Sequence, residues 1–266
     1  MTRPVLAALA LALVYVGPVP AQEAPFALPT PMGGPVIGRD GKVLSALDTG
    51  PSAWSGGFEL GLSGADGNTN ILKLRTGFDF KYDSPDNFFV ANAIYILTRL
   101  DEANVEQKAF VLARNELPVN GAWAWYAQGQ LEYDESLTID SRVAAHNGAS
   151  LTIVRGANSV VKIRAGAGVA REEGGTINDW VPEGQAGGDV EYILTARSKF
   201  GASVDWYPDL HELSNYRVRV RAWFDFLIDP DLNAYLRLGV FDRYNSNAFG
   251  SKRNDVDYYM SLLIRF

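Results

Sequence analysis

The groups best placed to do chemistry in this chain are charged residues that recur at every second position. Arg217, Arg219 and Arg221 alternate with Val218, Val220 and Ala222; Lys73 and Arg75 alternate with Leu72 and Leu74; Lys162 and Arg164 alternate with Val161, Ile163 and Ala165. A repeat of two is the side-chain repeat of a β-strand, so each charged set shares one face and its apolar neighbours share the other. Lys81, Arg114, Arg237 and Arg265 fall on the same polar face, opposed by Glu59, Asp79, Glu106, Glu132, Asp205, Asp225 and Asp257. Two kinds of chemistry follow. Opposite charges can pair across strands and brace a wall, or a basic surplus can line a narrow path for anions, because rings of Arg or Lys favour them.

Other chemistries are poorly supplied. Hydrolysis by a nucleophile needs a Ser, a His and a polar orienter at one place, and the chain has only His146 and His211. His146 shares the parity of Arg142 and Ser150, which predicts the polar side of its strand. His211 sits in an acidic link between Asp209 and Glu212. No catalytic residue is assigned. Two His and no Cys cannot build a closed zinc site. Asp134, Glu135 and Asp140, with Asp101, Glu102, Glu172, Glu173 and Asp179 in other links, could offer oxygen ligands to Ca²⁺ or Mg²⁺, or meet lipopolysaccharide through divalent ions. They lack the spacing of a calcium loop and read as a solvated acidic rim. Neither a metal nor a cofactor is expected. The absence of Cys excludes disulfides and thiolate chemistry. A net charge of -7 argues against a nucleic-acid partner.

The elements that must position these groups are strands. Residues 1–21 have a basic start at Arg3, an apolar run over 5–16 and a small-residue site ending at Ala21, which predicts a cleaved secretory signal peptide. Residues 22–53 are rich in Pro and Gly and read as a flexible periplasmic lead-in, with residues 38–42 resembling a hairpin tip outside any barrel. From Trp54 onward, runs of about ten alternating residues recur to the end, each bounded by turn residues. The runs at 88–99, 104–115 and 142–154 alternate less cleanly. No later segment has about 18 consecutive apolar residues, so a helical span is excluded for the mature chain.

The links between runs alternate in length. Those at 83–87, 118–121, 155–158, 197–199 and 229–231 are short, whereas those at 134–140, 172–184, 208–214 and 245–255 are the longest. Short periplasmic turns and longer external loops are the habit of outer-membrane barrels. The alternation closes at about twelve strands. The predicted fold is therefore all-β, a transmembrane antiparallel up-and-down barrel over residues 54–266 in the outer membrane of a Gram-negative-type bacterium. Trp54, Tyr82, Phe89, Trp123, Phe226 and Phe266 then fall at the periplasmic rim, and Tyr133, Trp206, Tyr216 and Tyr258 at the external rim. A soluble barrel or sandwich would alternate too, but would wear its Lys and Arg outside.

The last run favours the membrane reading. Tyr258, Met260, Leu262, Ile264 and Phe266 share a face, and an apolar alternation ending in Phe resembles the signal by which the barrel assembly machinery recognises its clients. That machinery, outer-membrane lipid and lipopolysaccharide are the expected partners; the pattern does not specify an oligomeric state.

Short motifs add a resemblance. Trp54-Ser55-Gly56-Gly57, then Leu60-Gly61 and Asp66-Gly67-Asn68-Thr69, are followed by Tyr133-Asp134-Glu135, by Ile139-Asp140-Ser141-Arg142, by Gly148, and by Gly166, Gly168, Val169, Ala170, Arg171 and Glu172. In this order they resemble the YdiY-like family of salt-induced outer-membrane proteins, over roughly residues 54–266. The resemblance implies an outer-membrane barrel, leaves its specific role unknown and carries no catalytic residues. Three readings stay open: a structural barrel related to envelope or salt stress, a narrow solute or ion channel with a basic lumen, and an outer-membrane lipid-modifying enzyme.

Overall fold

The computed structural model describes residues 54–66, 70–84, 86–101, 103–135, 141–173, 179–247 and 253–266, with the backbone of Val36–Ile37 and Val43–Leu44. The signal peptide expected at 1–21 and most of the lead-in at 22–53 lie outside the described residues, as does the expected hairpin tip at 38–42. The short strands β1 (Val36–Ile37) and β2 (Val43–Leu44) pair antiparallel as a separate two-stranded sheet.

The remaining described strands form one sheet. They are β3 (Trp54–Ala65), β4 (Ile71–Asp83), β5 (Phe88–Leu100), β6 (Ala103–Asn120), β7 (Trp123–Asp134), β8 (Ser141–Arg155), β9 (Ser159–Glu173), β10 (Trp180–Thr195), β11 (Ser198–Pro208), β12 (Tyr216–Asp229), β13 (Ala234–Asn245) and β14 (Asn254–Arg265). Each pairs antiparallel with the next, and β14 returns to β3, so twelve strands close into a barrel. Closure pairs backbone groups that would otherwise stand unpaired at a sheet edge.

Alternation decides which side each residue faces. Along β4, Arg75, Asp79 and Lys81 are buried inside the barrel while Leu72 and Phe78 are exposed outside it. The less regular runs have a physical cause: Ile94 and Ile96 on β5 and Phe110 on β6 are apolar yet buried, and form an interior cluster with Leu112. Both faces of these strands therefore carry apolar residues, and polarity alone cannot separate them.

The end of the barrel that carries Trp54 and Arg265 has short links: 84–87, 121–122, 156–158, 196–197 and 230–233. The opposite end has longer ones, reaching 246–253, with 101–102 as a short exception. Local hydrogen bonds hold the short turns. Ser84 N–H donates to Asn87 O at 2.9 Å, and the Asp229 carboxylate accepts from the N–H of Asp231 at 2.8 Å and of Leu232 at 3.1 Å. One expected loop is shorter than the sequence predicts. Within 172–184, β9 continues through Glu173 and β10 begins at Trp180, with Pro182 inside the strand. Pro182 sits near the barrel end, where its carbonyl accepts from Leu210 N–H at 2.9 Å and so ties the link 209–215 to the wall.

Aromatic side chains inside the barrel lie along the wall where glycine leaves room. A Cβ at Gly201 would stand 2.2 Å from Trp223 Cζ2, and one at Gly239 would stand 2.1 Å from Tyr259 Cζ. These rings fill the lumen from positions pressed against the neighbouring strand. The closing seam is the shortest pairing. Residues 57–60 pair with 262–265, extended by reciprocal backbone bonds between Gly56 and Phe266 at 3.0 Å, whereas every other barrel pair has at least nine partners in register.

Candidate functional site

The outer surface defines the setting of the site. Leu62, Phe78, Trp125, Leu131, Ile163, Phe224, Leu238 and Met260 are all exposed on the outside of the barrel. Aromatic clusters mark its two ends. Trp54 packs on Phe80 and Tyr82 with ring centroids 5.1 and 4.5 Å apart, and Phe80 meets Phe89 at 6.1 Å. At the other end Tyr216 lies between Trp206 at 6.5 Å and Tyr244 at 5.7 Å. An apolar band between aromatic girdles around a closed barrel is a surface made for lipid, and the protein is an outer-membrane barrel. Among the described residues no helix is long and apolar enough to cross a membrane.

The lumen holds the charge. Near the long-loop end, β7, β8, β9, β10 and β12 contribute one network: Arg219 donates to Glu132 at 2.9 Å, Arg142 contacts Glu132 at 3.6 Å and Glu172 at 3.8 Å, and Arg217 lies 3.3 Å from Glu183. Arg142 also pairs with Glu183, and Arg217 with Glu172. A second network joins β4, β6, β7, β13 and β14. Lys108 reaches Glu106 at 2.5 Å and Asp255 at 3.0 Å, Arg243 reaches Asp257 at 3.0 Å and Asp134 at 3.6 Å, and Lys73 lies 3.7 Å from Asp257.

Deeper in the barrel, Asp225 is almost fully buried and accepts from Arg237 at 2.7 Å and Arg265 at 2.7 Å, while Arg237 also meets Glu59 at 3.2 Å. Arg75 binds Glu59 at 2.9 Å and stacks 3.6 Å above the Tyr259 ring. On the other side Arg164 grips Asp205 with two hydrogen bonds of 2.7 Å and also pairs with Asp189, which accepts from Arg114 at 3.1 Å. Tyr126 donates to Gln185 at 2.9 Å, and Lys162 holds Glu116 at 2.8 Å. Carboxylates thus satisfy most of these buried cations, as burial of charge requires.

Several of these contacts cross the lumen. β7 and β13 stand diametrically opposite in the ring, and β6 and β13 nearly so. Even so, Arg243 contacts Asp134, and the Phe110 and Phe241 rings meet with centroids 5.8 Å apart. A round twelve-stranded barrel would be on the order of 24 Å across between backbones, from a strand spacing near 4.8 Å and the usual tilt. One Phe pair cannot bridge that distance, so the barrel is flattened and pinched at a waist between β6–β7 and β12–β13.

All the residues singled out as lumen lining have inward parity, but the structure assigns them to separate groups. Lys73 joins the second long-loop network, Arg75 the Glu59 group, Lys162 Glu116, and Arg164 the Asp189–Asp205 pair. Arg217 and Arg219 are engaged by carboxylates, whereas Arg221 meets only the Trp223 ring, at 5.8 Å, among the described residues. Tyr258, Met260, Leu262, Ile264 and Phe266 stand exposed on the outer face at the seam. His146 is buried 3.3 Å from Glu183 and packs on Tyr207 at 5.1 Å, and His211 is exposed in the link 209–215. The waist aromatics Phe110 and Phe241, and the glutamines of β7 and β10, were not singled out by sequence reasoning. An aromatic at inward parity on an otherwise charged face was the available signal.

No curated protein matches the chain. Solved structures similar to it include the NanC porin, at 10% identity and a TM-score of 0.40, covering 80% of this chain and 96% of that one. The KdgM porin in complex with disordered oligogalacturonate aligns at 10% identity and a TM-score of 0.43, covering 80% and 99%. The translocator domain of the autotransporter NalP from Neisseria meningitidis aligns at 8% identity and a TM-score of 0.41, covering 83% and 90%. The family described as "Protein of unknown function, DUF481" matches residues 58–266, the whole barrel but for its first four residues, and the chain belongs to that family.

Proposed function

We propose that this outer-membrane barrel is a structural element of the envelope, closed by its own side chains, and not an enzyme. The contact of facing walls at the waist carries the reading: Phe110 against Phe241 and Arg243 against Asp134 occupy the space through which a solute would pass. The ion pairs that cross the lumen support it too, since Arg219 with Glu132 and Arg243 with Asp134 tie facing strands together. His146 is buried 3.3 Å from Glu183 and against the Tyr207 ring, and no described serine is hydrogen-bonded to it, so it lacks the paired nucleophile a hydrolase needs. The link to salt stress rests on the resemblance of the motifs at 54–69 and 133–142.

Planar-bilayer recording of the refolded full barrel tests closure. No steady current above that of the bare bilayer is expected, and an ohmic conductance in the unmodified protein would overturn the proposal. The alternative, a narrow channel with a basic lumen, draws on the cavity of about 590 Å³ below the waist, which Arg164, Arg219 and Arg221 help to line. It requires the waist to part, and voltage-dependent openings in the same recording would favour it.

A further inference from the structure

Arg221 differs from the other arginines of the lumen. Its cross-strand neighbours are Ser203 on β11 and Phe241 on β13, so no carboxylate stands opposite it. Among the described residues it makes neither an ion pair nor a hydrogen bond, and its guanidinium carbon lies 5.8 Å from the centre of the Trp223 ring. The charge was not left unpaired for want of acids, because Arg219, two residues earlier, reaches Glu132 across the lumen. Arg221 instead borders the cavity of about 590 Å³, which runs from the turns at 84 and 121–122 up to the waist. That volume suits a small organic ligand. Phe110, Leu112, Phe241 and Trp223 give the inner part an apolar wall beside the Arg221 guanidinium, which no described carboxylate contacts directly.

We propose that this inner end is a binding site for a small carboxylate with an apolar body, its carboxylate on Arg221 and its body against Phe110, Leu112 and Phe241. A guanidinium presents a planar fork that matches a carboxylate with two parallel hydrogen bonds. Few other ligand types satisfy both the free donors and the apolar wall. The site goes beyond the closed-barrel reading and does not depend on it, because a ligand can enter from the short-turn end whether or not the waist opens.

Isothermal titration of the detergent-folded full barrel with benzoate, acetate and benzylamine tests this, with heat-modifiable mobility as the check on folding. Benzoate is expected to bind, acetate to bind about tenfold more weakly for want of an apolar body, and benzylamine, of the same shape and opposite charge, not to bind. Arg221→Gln should weaken benzoate about tenfold or more, the loss of one charge-assisted contact. Arg221→Lys should retain part of the affinity, and Arg253→Gln, in the link at the far end, should retain all of it. No benzoate binding to the folded wild type, unchanged affinity in folded Arg221→Gln, or equal binding of benzylamine would each overturn the site. A conducting wild type that still binds benzoate through Arg221 would overturn only the closed-barrel reading.

Discussion

Arg219 and Val220 are neighbours in sequence on opposite sides of a wall one residue thick, and their substitution costs should differ accordingly. Val220→Arg places a guanidinium against lipid, which costs about 2–4 kcal/mol at the bilayer midplane and less toward the interfaces. Arg219→Val keeps an apolar group in the lumen and leaves Glu132 with Arg142 at 3.6 Å, so the carboxylate is not stranded. Folding yield in lipid vesicles should therefore fall sharply for Val220→Arg and modestly for Arg219→Val; equal yields for Val220→Arg and wild type would reverse the facing of β12. The facing itself was legible in the sequence, because the alternation at 216–226 is nearly unbroken. The partners were not. Glu132 and Arg219 are 87 positions apart, and only the closed ring, which no local pattern encodes, brings them together. For the same reason the ladder 217, 219 and 221 reads as three equivalent cations in sequence, while in the fold two are neutralised and one is not.

At the scale of strands, the weakest joint is the seam. With four residue pairs in register and the Gly56–Phe266 bonds beyond them, β14 and β3 share the least backbone pairing in the barrel. Phe266 N–H donates to Gly56 O, and Gly56 N–H donates to Phe266 O, both at 3.0 Å, so the final residue supplies backbone closure as well as a lipid-facing ring. Deleting Phe266 should lower the fraction of heat-modifiable barrel in membranes without changing export. Phe266→Ala retains both backbone bonds and should lose less. Equal barrel fractions in the deletion and the wild type would show that the seam closes without these bonds. Most strands and the count of twelve were legible from alternation and link length. The start of β10 was not, since Pro182 and the glycines at 174–175 resemble a loop until the register with β9 shows Pro182 opposite Val169. The faces of β5 and β6 were blurred because Ile94, Ile96 and Phe110 bring apolar residues to the polar side.

Over the whole molecule, flattening turns a ring wide enough for a pore into two walls in contact. Two kinds of contact hold the waist: the apolar pair Phe110–Phe241 and the ion pairs Arg243–Asp134 and Arg219–Glu132. The rings contribute packing and exclude water; the Arg243–Asp134 pair, in a network with Lys108, Asp255 and Asp257, fixes the spacing above them. Phe110→Ala with Phe241→Ala removes the apolar plug and leaves a lumen bordered by Arg219, Arg221 and Arg114, which water and anions can fill. Each truncation costs about 3–5 kcal/mol if the wall does not relax, so the double variant must first show heat-modifiable mobility. In the folded double variant, bilayer recordings should show a small current with a reversal potential shifted toward anions, whereas Phe224→Ala, on the lipid face of β12, should stay silent. A folded double variant as silent as the wild type would move the barrier from the rings to the ion-pair layers. Adding Arg243→Ala to that variant would then test whether the charged network, and not the aromatic waist, holds the two walls together.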